Sequence, residues 1–203
     1  MAYPIHTRIE HVPKQSRLAT FFRIFLLIPH GIVLFFYGIA SIVVTIISWF
    51  VILFIGRLPR GMFNFQVGFL RYNVRVRCYA SLLTGRFPPF GAGSVTDGYP
   101  VQVDADYPER LSRLTTFFRY FLSIPAYILL YLLTLLEAVM AFFAWWVILF
   151  IGRLPEGMFE VMELPQRYNS RVTAYLVLLI TDAYPWFQDE TEPDPEPWTA
   201  PAA

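Results

Sequence analysis

Val51-Ile-Leu-Phe-Ile-Gly-Arg-Leu-Pro59 recurs unchanged as Val147-Ile-Leu-Phe-Ile-Gly-Arg-Leu-Pro155, 96 residues further on. Sliding the chain on itself by that interval superimposes Tyr3-Pro4 on Tyr99-Pro100. The match runs without a gap to Leu83 on Leu179, with 37 identities over 81 positions. Ser16-Arg-Leu-Ala-Thr-Phe-Phe-Arg23 answers Ser112-Arg-Leu-Thr-Thr-Phe-Phe-Arg119, and Arg71-Tyr-Asn73 answers Arg167-Tyr-Asn169. The halves close on Phe87-Pro-Pro-Phe90 and Tyr184-Pro-Trp-Phe187. Such self-similarity is a tandem duplication and fixes the organisation before any other reading. It predicts a first repeat at 1–90, a joint at 91–98, a second repeat at 99–187 and a tail at 188–203.

Within the repeated stretch, Gly56 and Gly152 stand where a left-handed helix end favours glycine, and Pro59 and Pro155 forbid continuation. Upstream lies an apolar run. Between Arg23 and Arg57 there are 33 residues without a formal charge, and between Arg119 and Arg153 the one charged residue is Glu137. A spanning helix needs roughly 20 apolar residues. Leu18 to Gly56 as one straight helix would be about 58 Å long, nearly twice the ~30 Å hydrocarbon thickness. Folded back near Gly38 and Glu137 it makes two legs that fit, and Glu137 reaches water at the tip. All three aqueous segments carry arginine, which suits a single cytoplasmic side. The expectation is therefore an apolar helical hairpin in each half. The rival is one long span kinked at Pro29 and Pro125.

Residues 61–84 and 157–180 read as amphipathic helices of the membrane interface. Arg71 and Arg75 lie four apart, as do Arg167 and Arg171, so each pair shares a helical face. Tyr3–Glu10 and Tyr99–Asp106 alternate like short strands. The acidic, proline-rich residues 188–203 read as disordered. The chain of 203 residues is 56% hydrophobic and 15% charged, with a formal net charge of +1. That balance argues against a soluble enzyme. Cys78 is the one cysteine, so no intrachain disulfide forms. The fold class expected is a mainly α integral membrane protein with a short strand in each half.

Candidate chemistry is sparse. Guanidinium forks bind phosphate and stack on rings. Arg57, Arg71, Tyr72 and Arg75, with Arg153, Arg167, Tyr168 and Arg171, are therefore the lipid headgroup candidates. Glu156, Glu160 and Glu163 replace Arg60, Asn64 and Val67 of the first repeat, and a partner protein would explain acids beside an anionic surface. His6, Glu10 and His11 do not make a metal site, because on a strand the two imidazoles point to opposite faces and the duplication keeps neither. His30 and Cys78 read as packing residues. Asp104, Asp106 and Glu109 lack the rest of a calcium loop. Phosphate-binding loops, nucleophile elbows and zinc-binding helical histidines are missing from the sequence. No cofactor, metal or nucleic acid is expected.

The Tyr-Pro strand opening, Ser-Arg-Leu-x-Thr-Phe-Phe-Arg, Gly-Arg-x-Pro-x-Gly-x-Phe and the closing Pro-Pro-Phe make the chain resemble a bacterial membrane protein family, the domain of unknown function 4389. The resemblance spans both repeats to about residue 187 and departs at Glu156, Leu164-Pro165 and Ala183. It implies a membrane location and carries over no catalytic residue; with the arginine distribution and the parallel repeat, the expectation is a multi-pass protein of the bacterial inner membrane with cytoplasmic termini. The function expected is a non-enzymatic scaffold, assembly factor or accessory subunit. Its partners would be membrane lipids and either other membrane subunits or a second copy. The alternative is a small transporter or channel with its path at the repeat interface.

Overall fold

A computed structural model describes residues 3–93 and 98–186. The expected tail at 188–203 and residues 94–97 of the joint lie outside the described residues. The first repeat comprises β1 (Ile5–Ile9), α1 (Arg17–Phe21), α2 (Arg23–Ile55) and α3 (Arg60–Ala80). The second comprises β2 (Val101–Ala105), α4 (Arg113–Leu122), α5 (Ile124–Ile151) and α6 (Glu156–Val172), which runs on into a π-helical turn at Thr173–Val177.

Each repeated Ser-Arg-Leu begins a helix. Ser16 Oγ accepts the amide of Ala19 at 3.3 Å, and Ser112 Oγ that of Thr115 at 3.2 Å. A serine so placed satisfies one of the donors that a helix start leaves open. The helices then run with one interruption, at Phe22 and at Ser123, rather than at Pro29 and Pro125. Pro125 lies in the first turn of α5, where its missing N–H costs nothing. At the far end Gly56 and Gly152 adopt φ of 77° and 78°, the left-handed C-caps expected from the sequence.

The hairpin expectation is overturned. α2 and α5 pass through Gly38 and Glu137 without a turn, as helices of 33 and 28 residues. The polar groups near each midpoint are met by neighbouring helices, so no exit to water is needed. Ser41 Oγ donates to Gln66 Oε1 at 2.6 Å, and Glu137 is 4% exposed among Ser81, Gln166 and Arg77.

The repeats are related by a pseudo-two-fold axis. β1 and β2 pair antiparallel with Thr7 opposite Val103, its own counterpart 96 residues on, and the register is symmetric about that pair. Other bonds are exchanged reciprocally, as a self-complementary interface requires. Trp49 Nε1 donates to the Thr116 carbonyl at 3.2 Å, and Trp145 Nε1 to that of Thr20 at 3.3 Å. The Leu111 amide bonds the Gly56 carbonyl, and the Gln15 amide bonds that of Gly152. The C-terminal turns of α2 thus meet α4, which leads into α5, while those of α5 meet α1, which leads into α2. The two long helices run in opposite directions around a closed circuit.

α3 packs along α2 and against β2, while α6 packs along α5 and against β1. Leu70, Val74, Cys78, Val101, Met162, Leu178 and Leu179 form the core between these layers. The long helices touch the rest of the molecule through a narrow stripe that in α2 runs His30, Ser41, Thr45, Ser48 and Ile52. Their remaining surface exposes large apolar side chains, among them Phe25, Phe36, Phe54, Tyr131, Phe142 and Phe150.

Candidate functional site

The arginines singled out on the last helix of each repeat, α3 and α6, are engaged by other parts of the protein. Arg71 is held to β2: its Nε donates to the Val103 carbonyl at 3.0 Å and its Nη2 to Asp104 Oδ1 at 2.7 Å. Arg75 is 2% exposed and donates to the Gly93 carbonyl at 2.9 Å. Burial, with the Arg71 charge beside it, draws its pKa below the usual guanidinium value. Tyr72 is buried with its hydroxyl 2.7 Å from His30 Nδ1. Arg167 pairs with Glu163 one turn back, at 2.6 Å. Tyr168 donates to the Ala126 carbonyl, and the Arg171 guanidinium lies 5.0 Å from the Tyr3 ring centre. For α3 the expectation of an interfacial helix carrying headgroup arginines is therefore corrected, while Arg167 and Arg171 of α6 stay half-exposed. α3 lies between α2 and β2, and its arginines bind protein.

Arg57 and Arg153 are exposed, as are Glu156 and Glu160. Glu163 is half-buried, and that burial pushes its carboxyl above the ordinary value against the pull of Arg167. His11 and its counterpart Tyr107 have one shared role, bonding the Leu154 and Leu58 carbonyls at 3.0 and 2.6 Å. That is why the duplication could exchange an imidazole for a phenol. Among the described residues no cluster of three metal-ligating side chains occurs.

Three features were missed in the sequence. The first is the pair Arg23 and Arg119, which had served only as flanks of the apolar runs. Each is buried, donates to the carbonyl of Tyr79 or Tyr175 at 2.8 or 2.7 Å, and lies over that tyrosine's ring. The second is the polar knot at the repeat interface, where Ser81 and Gln166 donate to Glu137 and Arg77 approaches it at 3.7 Å. Glutamines inside otherwise apolar helix faces were the available signal.

The third is a cationic corner at each end of the circuit. Arg57, Arg110 and Arg113, with the single acid Glu109, line an open cleft of about 430 Å³ beside Ile55, Gly56 and Leu111. A Cβ built on Gly56 would lie 3.4 Å from Arg113 Nε, so the guanidinium sits over the helix end. At the opposite corner Arg17 Nε lies 3.3 Å from the corresponding point on Gly152, and Lys14 bridges to Arg153 through the backbone. The three cations of each corner come from both repeats, which a scan along the chain does not reveal.

A family described as Domain of unknown function (DUF4389) matches residues 17–92 and again 113–189. Neither a curated protein nor a solved structure matches the chain.

Proposed function

We propose a function from one premise: the chain belongs to the Domain of unknown function (DUF4389) family, in two tandem copies. On this reading it is a membrane-inserted, non-enzymatic scaffold or accessory subunit. It resides in the bacterial inner membrane, contacts lipid through α1–α2 and α4–α5, and presents the sheet and α6 to a partner subunit on the cytoplasmic side.

The supporting observation is the segregation of surface. α2 and α5 are long and apolar enough to cross a membrane, yet only 22% and 17% of their most apolar 18-residue windows is buried. A core helix of a soluble protein passes the same length test but hides its apolar face. Contiguous exposed apolar surface beyond a few hundred Å² marks contact with lipid or protein. The opposite layer carries the sheet charges and Glu156, Glu160 and Glu163. Transport at the repeat interface gains less support. The knot around Glu137 joins its carboxylate to Ser81, Gln166 and Arg77, which suits a fixed lock better than a changing path.

The test is a blue-native gel of the full chain after mild detergent extraction, wild type beside Glu156→Arg combined with Glu160→Asn. A scaffold migrates in a larger complex that the exposed double substitution diminishes. A wild-type chain that travels alone under every mild detergent defeats the reading.

A further inference from the structure

The two corners carry six cations, and the fold accounts for only two of them. One cation per corner, Arg113 over Gly56 or Arg17 over Gly152, complements the negative end of a long helix. The other two at each corner have no such task. Among the described residues none of the six forms a salt bridge, while Arg71, Arg119 and Arg167 all do. The corners also survived duplication: Arg57 answers Arg153, Arg113 answers Arg17, and Arg110 answers Lys14 with the charge kept.

Beside each corner stands bare apolar surface. Phe54 is 76% and Ile55 57% exposed at the first, Phe150 72% and Ile151 54% at the second. A free anion needs no apolar wall; a phospholipid does, because its phosphate carries acyl chains. Guanidinium forks match phosphate oxygens two at a time.

The axis through Thr7 and Val103 lies midway between the corners. If α2 and α5 crossed the bilayer, that axis would lie at its centre. Glu10 and Asp106 each lie just past a five-residue strand, three residues and so at most about 10 Å from its middle. Asp106, with 73% of its side chain exposed, and Glu10, with 50%, would then sit within the ~30 Å hydrocarbon layer, where charged groups are rare and carry a heavy penalty. With the long helices lying in the plane of one leaflet, the sheet faces water and both corners stand at one headgroup level.

We infer that the two corners, Arg57–Arg110–Arg113 and Lys14–Arg17–Arg153, are paired sites for the headgroup phosphates of anionic phospholipids in a single leaflet. The inference rests on the membrane reading above, and the experiment separates the two.

Full-length protein is diluted from detergent onto vesicles of phosphatidylcholine alone, or with about one-third phosphatidylglycerol, and floated. Flotation with neither defeats the membrane reading itself. Wild type should prefer the anionic vesicles by on the order of tenfold or more, as basic residues at a charged surface do. Replacing Arg57, Arg110, Arg153 and Lys14 by glutamine should remove most of that preference while flotation on neutral vesicles persists. Replacing the three arginines by lysine should keep it, which shows that loss in the glutamine variant is not misfolding. An unchanged preference in the glutamine variant overturns the sites. Loss of wild-type preference on adding inorganic phosphate at matched ionic strength overturns the lipid as ligand in favour of a free anion. For the single leaflet, Pro13→Cys and Glu109→Cys, each in Cys78→Ser, are exposed to an impermeant maleimide in intact cells and in inverted vesicles. Both should react from the same side. Reaction from opposite sides overturns the in-plane arrangement.

Discussion

Arg23 and Arg119 hold the same place in the two repeats, and each repeat neutralises its arginine differently. In the first, Gln15 accepts from Arg23 Nη2 at 3.0 Å and donates to the Leu82 carbonyl at 2.6 Å. In the second, the counterpart of Gln15 is Leu111, and Asp182 binds Arg119 instead. The residue matching Asp182 in the first half is Gly85, whose missing side chain leaves room for Gln15: a Cβ there would lie 3.1 Å from Gln15 Cγ. Gln15 with Gly85 and Leu111 with Asp182 are two answers to one buried guanidinium. What the duplication preserved is the arginine and the carbonyl it holds; the counter-group drifted between two sequence-distant positions.

A related difference explains why the repeat interval changes. It is 96 residues up to Leu83 and Leu179, yet the closing Phe87-Pro-Pro-Phe90 and Tyr184-Pro-Trp-Phe187 are 97 apart. α3 ends with Leu82 in the left-handed region, φ 66°, whereas the second repeat reaches that conformation at Leu179, φ 57°. Between them the π-helical turn, closed by the Leu178 amide on the Thr173 carbonyl, takes up one extra residue. Beyond it the contacts return to step: Thr84 Oγ1 receives the Arg86 amide and Thr181 Oγ1 that of Ala183, both at 3.1 Å.

The largest expected effect breaks the comparison at the ion pair. Asp182→Ala strands a buried charge at Arg119 and should cost about 3 kcal/mol. Gln15→Ala removes a neutral partner of Arg23 and should cost about 1.5 kcal/mol. Denaturant unfolding in mild detergent measures both, and equal losses would mean the two answers are energetically the same. Next is the interface knot. Glu137→Ala removes the acceptor shared by Ser81, Gln166 and Arg77 and should cost about 2 kcal/mol, while Ser41→Ala at the matching position should cost about 1 kcal/mol. Adding Arg77→Met to Glu137→Ala should recover part of the loss, a coupling that a double-mutant cycle reads.

The comparison is sharpened by transplanting one answer into the other half. Gln15→Leu with Gly85→Asp rebuilds the second repeat's arrangement around Arg23. The pair should unfold about 1 kcal/mol later than Gln15→Leu alone, since a hydrogen-bonded charge is restored. No recovery would show that the swap needs the π-helical turn as well. The smallest effect is on pH. The Glu163 carboxyl is raised by burial in the fold, so between its ordinary value of 4.5 and that raised value the folded chain holds more proton than the unfolded one. Stability from this group is then fully present below 4.5 and declines as pH rises through the raised value. Glu163→Gln should flatten the decline, and Val67, its first-repeat counterpart, has nothing to titrate.

Much of the architecture was legible because it rests on local rules. Ser16 and Ser112 start helices by capping, Gly56 and Gly152 end them by a conformation other residues resist, and strict alternation marked both strands. The headgroup arginines were misplaced for a physical reason. The four-residue spacing of Arg71 and Arg75 places them on one face of a helix, but says nothing of what packs there; β2, with Val103 and Asp104, took up Arg71. The hairpin was misjudged similarly. Its case for a tip at Glu137 assumed that only water could satisfy the carboxylate, and the partners that do so lie 56 and 29 residues away.

By itself the sequence determined the duplication, the helix ends, the long apolar runs and the membership in a family, since each depends on identity or on neighbours within a few turns. Only the tertiary structure decided that the two apolar runs are unbroken and run in opposite directions. It also decided that the repeats close on each other about Thr7 and Val103, and that cations from both halves meet at two corners. Those facts depend on which distant group satisfies a buried polar atom. Each choice comes from packing one repeat against the other, and a reading along the chain does not contain it.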